Sequence, residues 1–287
     1  MISNQVFFHS KSLNPNINFS LERYFLYHSS EEIVFFYVNK PSLILGNFQC
    51  VYKEVKLPND MPIFRRLSGG GCVYHDEGNL NIAIFSKKEQ SVENLLWVQK
   101  ILKFFGKSVK ISSRKDLMYE NKKCSGSAFK HVNKRYLHHL TLLCSSNLDL
   151  LQKNLQGDDS IKTQGIPSVK SFVSNIHLSL ESFLSFFPIQ KTPLVPFFDF
   201  SNYETIFRKV PFVKEGFYKG EPYRIEFSQG KIFCTYKDTR IKNFIENFDF
   251  LSEPNVLVQD FLKQVLYYDF ALEQLRIKDH ELENFYQ

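Results

Sequence analysis

Hydrophobic and polar positions along the chain change period several times, and each period implies an element. In "NINFSLERYFLYH", Phe19, Tyr24, Leu26 and Tyr27 fall on a helical stripe, with Asn18 or Ser20 as the expected cap. "IVFFYV" and "SLILG", separated by Pro41, read as strands, and "MPIF" as a third that runs into Arg65 and Arg66. "NLNIAIF" alternates apolar with polar residues and predicts a strand. "SVENLLWVQKILKFFG" carries Leu95, Leu96, Val98, Ile101, Leu102, Phe104 and Phe105 at helical spacing and stops at Gly106, the clearest helix in the chain. "DLMYE" and "HHLTLLCS" are strand-like, whereas "NLDLLQKNLQG" and "HLSLESFLSFF" predict helices. Three prolines among phenylalanines between residues 188 and 202 precede "PYRIEF", "KIFCTYKD" and a long helical pattern, which places a domain boundary near residue 200. Strand neighbours without regular βαβ alternation favour an α+β fold on a largely antiparallel sheet, in two units, residues 1–200 and 201–287.

Composition narrows the class. The chain of 287 residues is 43% hydrophobic and 23% charged, with 30 Phe and 14 Tyr that supply core packing. No apolar run approaches the roughly 18 residues of a membrane span, and residues 1–18 carry neither a signal core nor an Arg-rich amphipathic pattern. Five cysteines, Cys50, Cys72, Cys124, Cys144 and Cys234, are odd in number and lack CxxC spacing, which fits free thiols in a reducing compartment. A formal charge of +6 predicts attraction to an acidic partner without choosing among nucleic acid, a phosphorylated small molecule and an acidic protein.

Candidate chemistry concentrates in "RRLSGGGCVYHDEGN". Gly69, Gly70 and Gly71 lie between strands, so the segment is neither a GxGxxG turn nor a P-loop, both of which feed a helix. Bare backbone there lets a bulky ligand lie close and lets amides face an anion, while Arg65 and Arg66 bring fork-shaped donors. Ser68 can tie the loop. His75 and Asp76, neighbours on a strand, point to opposite faces, so a direct relay between them is geometrically poor and a supporting role is expected. In "RKDLMYENKKCSGSAFK", Asp116 is a candidate divalent-cation ligand and Lys123, beside Gly126, a candidate anion contact; a charged hairpin is the plainer alternative. Cys124 is expected to be a buried small side chain. His138 and His139 alternate across a strand and cannot share one metal.

In order and spacing, "RRLSGGGCVYHDEGNLN", "KKCSGSAFK", "YLHHLTLLCS" and "GIPSVKSFV" resemble the lipoate-protein ligase and lipoyltransferase family, with "HHLTLLCS" closest to its mitochondrial lipoyltransferase branch. The resemblance implies a biotin/lipoyl-ligase-like, class II synthetase-like α+β catalytic domain and a small C-terminal domain. It implies an enzyme that moves lipoyl from lipoyl-AMP to a lysine of lipoyl domains, on 2-oxoacid dehydrogenase E2 subunits or the glycine-cleavage H protein. Lys123 would contact the acyl carbonyl and phosphate, and Asp116 would sit near phosphate and Mg²⁺. The substrate would be bound by Arg66, Ser68, Gly69, Gly70, Gly71, His75, Asn79, Gly126, Ser127, Ala128 and His139. Asn47, Cys50 and Lys115 depart from the family pattern on the expected nucleotide side, which favours transfer over activation of lipoate by ATP and Mg²⁺; a complete ligase is the alternative. Cysteine-dependent octanoyl transfer and non-enzymatic nucleic-acid binding are the remaining readings, and no RRM, KH or helix-turn-helix pattern supports the latter. A monomer without nucleic-acid or membrane partners is expected, inside the cell: in the mitochondrial matrix of a eukaryote, otherwise in the cytoplasm.

Overall fold

The computed structural model describes residues 5–236 except 58, 208, 219–220 and 229–230, so the helical pattern beyond "KIFCTYKD" lies outside the described residues. In chain order the first elements are β1 (Gln5–His9), α1 (Pro15–His28), β2 (Glu32–Tyr37), β3 (Ser42–Leu45), α2 (Val51–Glu54), β4 (Ile63–Arg65), β5 (Val73–His75), β6 (Asn79–Ser86) and α3 (Ser91–Phe104). Then come β7 (Lys110–Ile111), β8 (Leu117–Tyr119), β9 (Lys122–Ser125), β10 (Ser127–Val132), β11 (Arg135–Leu143), α4 (Leu148–Asn154), β12 (Lys162–Thr163), α5 (Leu180–Leu184) and β13 (Ile189–Gln190). The last are α6 (Tyr203–Phe207), β14 (Phe212–Tyr218), β15 (Glu221–Ser228) and β16 (Lys231–Tyr236). The largest sheet runs β10-β11-β6-β2-β1-β13, antiparallel from β10 to β2 and parallel at the β1 end. The fold is α+β, as the strand pattern predicts.

Both faces of that sheet are covered. Val34, Phe36, Ile82 and Ile84 meet Leu95, Val98 and Leu102 of α3 and Phe183 of α5. The alternate residues Ile33, Phe35, Tyr37, Ala83 and Phe85 meet Phe19, Phe25 and Leu26 of α1. This double cover explains why every residue of β6 is buried, although its polar-apolar alternation suggests one wet face. Asn79 and Asn81 are the polar half of that alternation, and they are buried with Asn79 Nδ2 3.3 Å from Asn81 Oδ1.

Two helix ends differ from expectation. Asn14 caps α1, its Oδ1 accepting from Asn16 N at 3.0 Å with Pro15 in the first turn, so Asn18 is free for a tertiary role inside the helix. α5 is five residues long, because Ser179 caps its start, Pro188 comes soon after its end, and the chain then joins β1 as β13.

A second apolar cluster joins Leu43, Leu45, Val51 and Tyr74 to Ile206, Phe207, Phe212, Ile225 and Phe227. Here β3 pairs with β4 in parallel and β5 antiparallel, which sets the glycine loop between β4 and β5 across the α1 face of the main sheet.

Candidate active site

A cavity of about 180 Å³ opens between the glycine loop and strands β9, β10 and β11. The loop forms one wall. Gly70 sits at φ 84°, a left-handed conformation suited to glycine, and its carbonyl oxygen lies where a side chain on Gly46 would begin, 2.0 Å from an ideal Cβ. A Cβ on Gly71 would meet Ser168 Oγ at 2.9 Å. Among the described residues neither the Gly70 nor the Gly71 amide hydrogen-bonds within the protein, which leaves two donors for a ligand oxygen. Ser168 fixes this wall: its Oγ accepts from Cys72 N at 2.8 Å and Gln49 Nε2 at 3.0 Å, and buried Glu54 accepts from its amide at 3.1 Å.

The two arginines divide their work. Arg65 points away from the cavity, donating to the carbonyls of Thr205, Gly46, Gln49 and Ile206. It is a buried clamp between the loop after β3 and α6, and the expectation that it faces an anion is corrected: its donors are already taken by carbonyls. Arg66 lines the cavity, yet it too grips the loop, donating to Ile44 O at 3.0 Å, Gly69 O at 2.6 Å, Gly71 O at 2.8 Å and Ser68 Oγ at 3.1 Å. Burial lowers the pKa of both guanidinium groups, that of Arg65 to about 10.

From Ser68 a buried chain continues to Nδ1 of His139 at 3.0 Å, and His139 Nε2 bonds Glu22, which also accepts from Tyr37 Oη at 2.9 Å. The order Ser-His-Glu invites a nucleophile reading, but Ser68 is fully buried and its Oγ accepts a hydrogen bond from Arg66 Nε. The network instead links the buried Arg66 guanidinium to Glu22 through Ser68 and His139, so that no polar group in the series is buried alone. Burial, followed by the Glu22 charge, raises the Tyr37 pKa well above its ordinary value.

The opposite wall carries the cation. Lys123 Nζ lies 3.0 Å from Asp116 Oδ1, and the side chain folds over Gly126, where a Cβ would meet Lys123 Cε at 3.2 Å. The backbone of Lys123 is held by Phe172 O and Ser174 N, in the segment just after Ser168. Arg114, two residues before Asp116, adds an exposed cation to the cavity rim.

Most of the residues singled out in the sequence meet here. Arg66, Gly70, Gly71, His75, Asp116, Lys123, Gly126, Ser127, Ala128 and His139 line one cavity, whereas Ser68, Gly69 and Asn79, expected to bind substrate, do not line it. His75 and Asp76 do not pair: His75 Nδ1 meets Asn39, and Asp76 accepts from the amides of Gly78 and Asn147. His138 and His139 occupy opposite faces of β11, the first bonding Asn94 and Ser127. Two of the family departures are also relocated. Cys50 packs in the second apolar cluster, and Lys115 reaches Ser91 Oγ at 2.6 Å on the far face of β10, so neither side chain lines the cavity. Missed by sequence reasoning were Arg114, Ser168, Glu22 and Tyr37, whose contacts span up to about 120 positions and leave no local period.

As for a metal, no three His, Cys, Asp or Glu side chains gather into a possible site among the described residues. The single carboxylate of Asp116 already faces Lys123, so the protein's own donors do not make a divalent-cation cage, and no step is assigned to one.

Residues 14–188 match the lipoyl protein ligase A/B catalytic domain. The chain belongs to that family. Lipoate-protein ligase 1 of Staphylococcus aureus is 34% identical over 175 residues, 57% of this chain and 53% of that protein. The mitochondrial lipoyl amidotransferase of Mus musculus is 34% identical over 154 residues, 50% of this chain and 41% of that one. The alignments thus span about half the length of these curated relatives. Plasmodium falciparum LipL1, solved in complex with lipoate, superposes with a TM-score of 0.61 at 22% identity, covering 81% of this chain and 84% of that one. A lipoate-protein ligase A bound with ATP superposes at 0.52 with 21% identity, over 64% and 82% of the two chains. At such identities these neighbours establish the shared fold. Within the family domain, the glycine wall and Lys123 are two faces of one cavity.

Proposed function

We propose that this chain transfers a lipoyl group from lipoyl-AMP to a lysine of an acidic lipoyl domain, such as that of a 2-oxoacid dehydrogenase E2 subunit or the glycine-cleavage H protein. The observation that carries the reading is the Lys123 ammonium, set against Asp116 and folded over Gly126, facing bare glycine backbone across a cavity in a chain of this family. The acceptor's neutral ε-amine attacks the acyl carbon. A C–N bond forms, the C–O bond to phosphate breaks, AMP departs with the electron pair, and the amine proton passes to a base, Asp116 or solvent. Negative charge grows on the carbonyl oxygen and then on the leaving phosphate, and a fixed ammonium with the Gly70 and Gly71 amides stabilises both. Asp116 holds Lys123 in that position.

The cysteine route has little support. Cys124 and Cys144 are fully buried, and burial pushes the thiols of Cys72, Cys124 and Cys144 up to about 12, so none offers a ready thiolate. A complete ligase is favoured by one finding: the Cys50 and Lys115 side chains, which depart from the family pattern, do not reach the cavity. Intact mass of an apo lipoyl domain separates the two. Modification by lipoyl-AMP alone supports transfer, modification also by lipoate with ATP makes the chain a full ligase, and modification by neither overturns the proposal. A mitochondrial relative among the matches supports a matrix location if the source is a eukaryote.

A further inference from the structure

His75 ends β5, lines the cavity and is 3% exposed. Its ring nitrogens differ: Nδ1 lies 2.9 Å from Asn39 Nδ2, whereas Nε2 is buried without a partner among the described residues. Which nitrogen carries the proton is decided in α1. Asn18 Nδ2 lies 3.0 Å from Ser12 O and 3.1 Å from Val38 O, two carbonyls that only accept, so the amide nitrogen of Asn18 must face them. The same nitrogen donates to Asn39 Oδ1 at 2.8 Å, which fixes Asn39 with its oxygen toward Asn18 and its NH₂ toward His75. An NH₂ group only donates, so His75 Nδ1 is the bare acceptor and the ring proton sits on Nε2. Burial, with Arg66 and His139 nearby, lowers the imidazole pKa well below its usual value and keeps the ring neutral. A buried N–H without an acceptor calls for a partner, and on a residue that lines the cavity that partner can be a ligand.

We propose that His75 donates from Nε2–H to an acceptor atom of the acyl substrate, and that Asn39 and Asn18 are positioning residues that lock it in that tautomer. The inference rests on the lipoyl reading for the identity of the ligand, while the lock is a property of the empty protein. Nothing in the local sequence announces it, because Asn18, Asn39 and His75 come from α1, the loop between β2 and β3, and β5.

Long-range ¹H–¹⁵N spectra of the histidine-labelled protein test both parts. The free protein should show His75 protonated on Nε2 alone, and saturation with lipoate, verified by calorimetry, should move that proton downfield. Octanoate serves as a second ligand: a shift with both acids assigns the acceptor to carboxylate oxygen, a shift with lipoate alone to dithiolane sulfur. Asn39→Ala should release the lock into mixed tautomers and weaken lipoate binding about tenfold, the worth of roughly one hydrogen bond, raising KM with kcat retained. His75→Gln, which can place an amide N–H near the Nε2 position, should bind better than His75→Leu. An Nδ1-protonated ring in the free wild type, or an unmoved Nε2 proton in the saturated wild type, overturns the proposal even if the variants fail to fold. If the wild type binds no lipoate, lipoyl-AMP takes its place in the titration; wild type that binds neither overturns the functional reading instead, and the free-protein spectrum still judges the lock.

Discussion

Lys123 and Arg66 are both cations on the cavity, and their surroundings give them different work. Among the described residues the Lys123 ammonium has one charged partner, Asp116, and its side-chain exposure is 25%, so its charge is available to a ligand. Arg66 is committed to the loop that makes the wall. Lys123→Ala should therefore lower the rate of acyl transfer at least about 10²-fold, as for loss of a charge-stabilising donor, with the melting temperature little changed; intact-mass time courses beside thermal melts check this. An equal loss of melting temperature would mean that the residue is structural. His138 supplies the pH test. Burial lowers its pKa from 6.5 to about 3, with the charges of His139 and Lys115 adding to the shift. The folded state therefore refuses a proton that the unfolded chain accepts between those values. Stability is full above pH 6.5 and falls as pH drops toward 3, by at most about 1.4 kcal/mol per unit for this group. Urea unfolding at pH 7 and pH 5 should show the slope, and His138→Gln should reduce it.

At the scale of elements, the sheet and the loop fail in different ways. Phe36 of β2 is fully buried and contacts the rings of Phe183 and Phe187, with centroids 6.1 and 4.8 Å away. Phe36→Ala should cost about 3–5 kcal/mol by leaving a cavity between β2 and α5, read as a lower denaturation midpoint. Gly46→Ala should act on the site. Its new Cβ would lie 2.0 Å from the Gly70 carbonyl oxygen, and backbone must move to admit it. Lipoate affinity should then fall more than global stability does, because the displaced segment is the cavity wall; an unchanged affinity would show that the wall does not touch substrate. The strands and α1 and α3 were legible because one period persists over many residues and a buried face enforces it. α5 was overread: "HLSLESFLSFF" has the apolar spacing of a longer helix, but the Ser179 cap and Pro188 confine it, and β1 recruits Ile189 and Gln190 as a strand. β6 shows the converse, an alternating strand buried on both sides, since which layers cover a sheet is not written in the strand itself.

For the whole molecule, a formal charge of +6 favours encounter with an acidic partner, which the acceptor domain of the proposed function would be. Modification of such a domain by lipoyl-AMP should slow as salt rises, through the encounter rate, whereas lipoate binding should respond less because the cavity is partly shielded. Equal salt dependence of the two would remove the steering role. Sequence alone determined the α+β class, the family and the small set of residues that meet at the cavity, because strand and helix periods are local and the glycine and lysine motifs keep their order and spacing. Only the tertiary structure decided that Arg65 is a clamp and that Cys50 and Lys115 face away. It alone joined Glu22 to Ser68 through His139, and Asn18 to His75 through Asn39. Each of those facts is the direction of one side chain toward a partner distant in sequence, and direction is set by packing once the chain has closed.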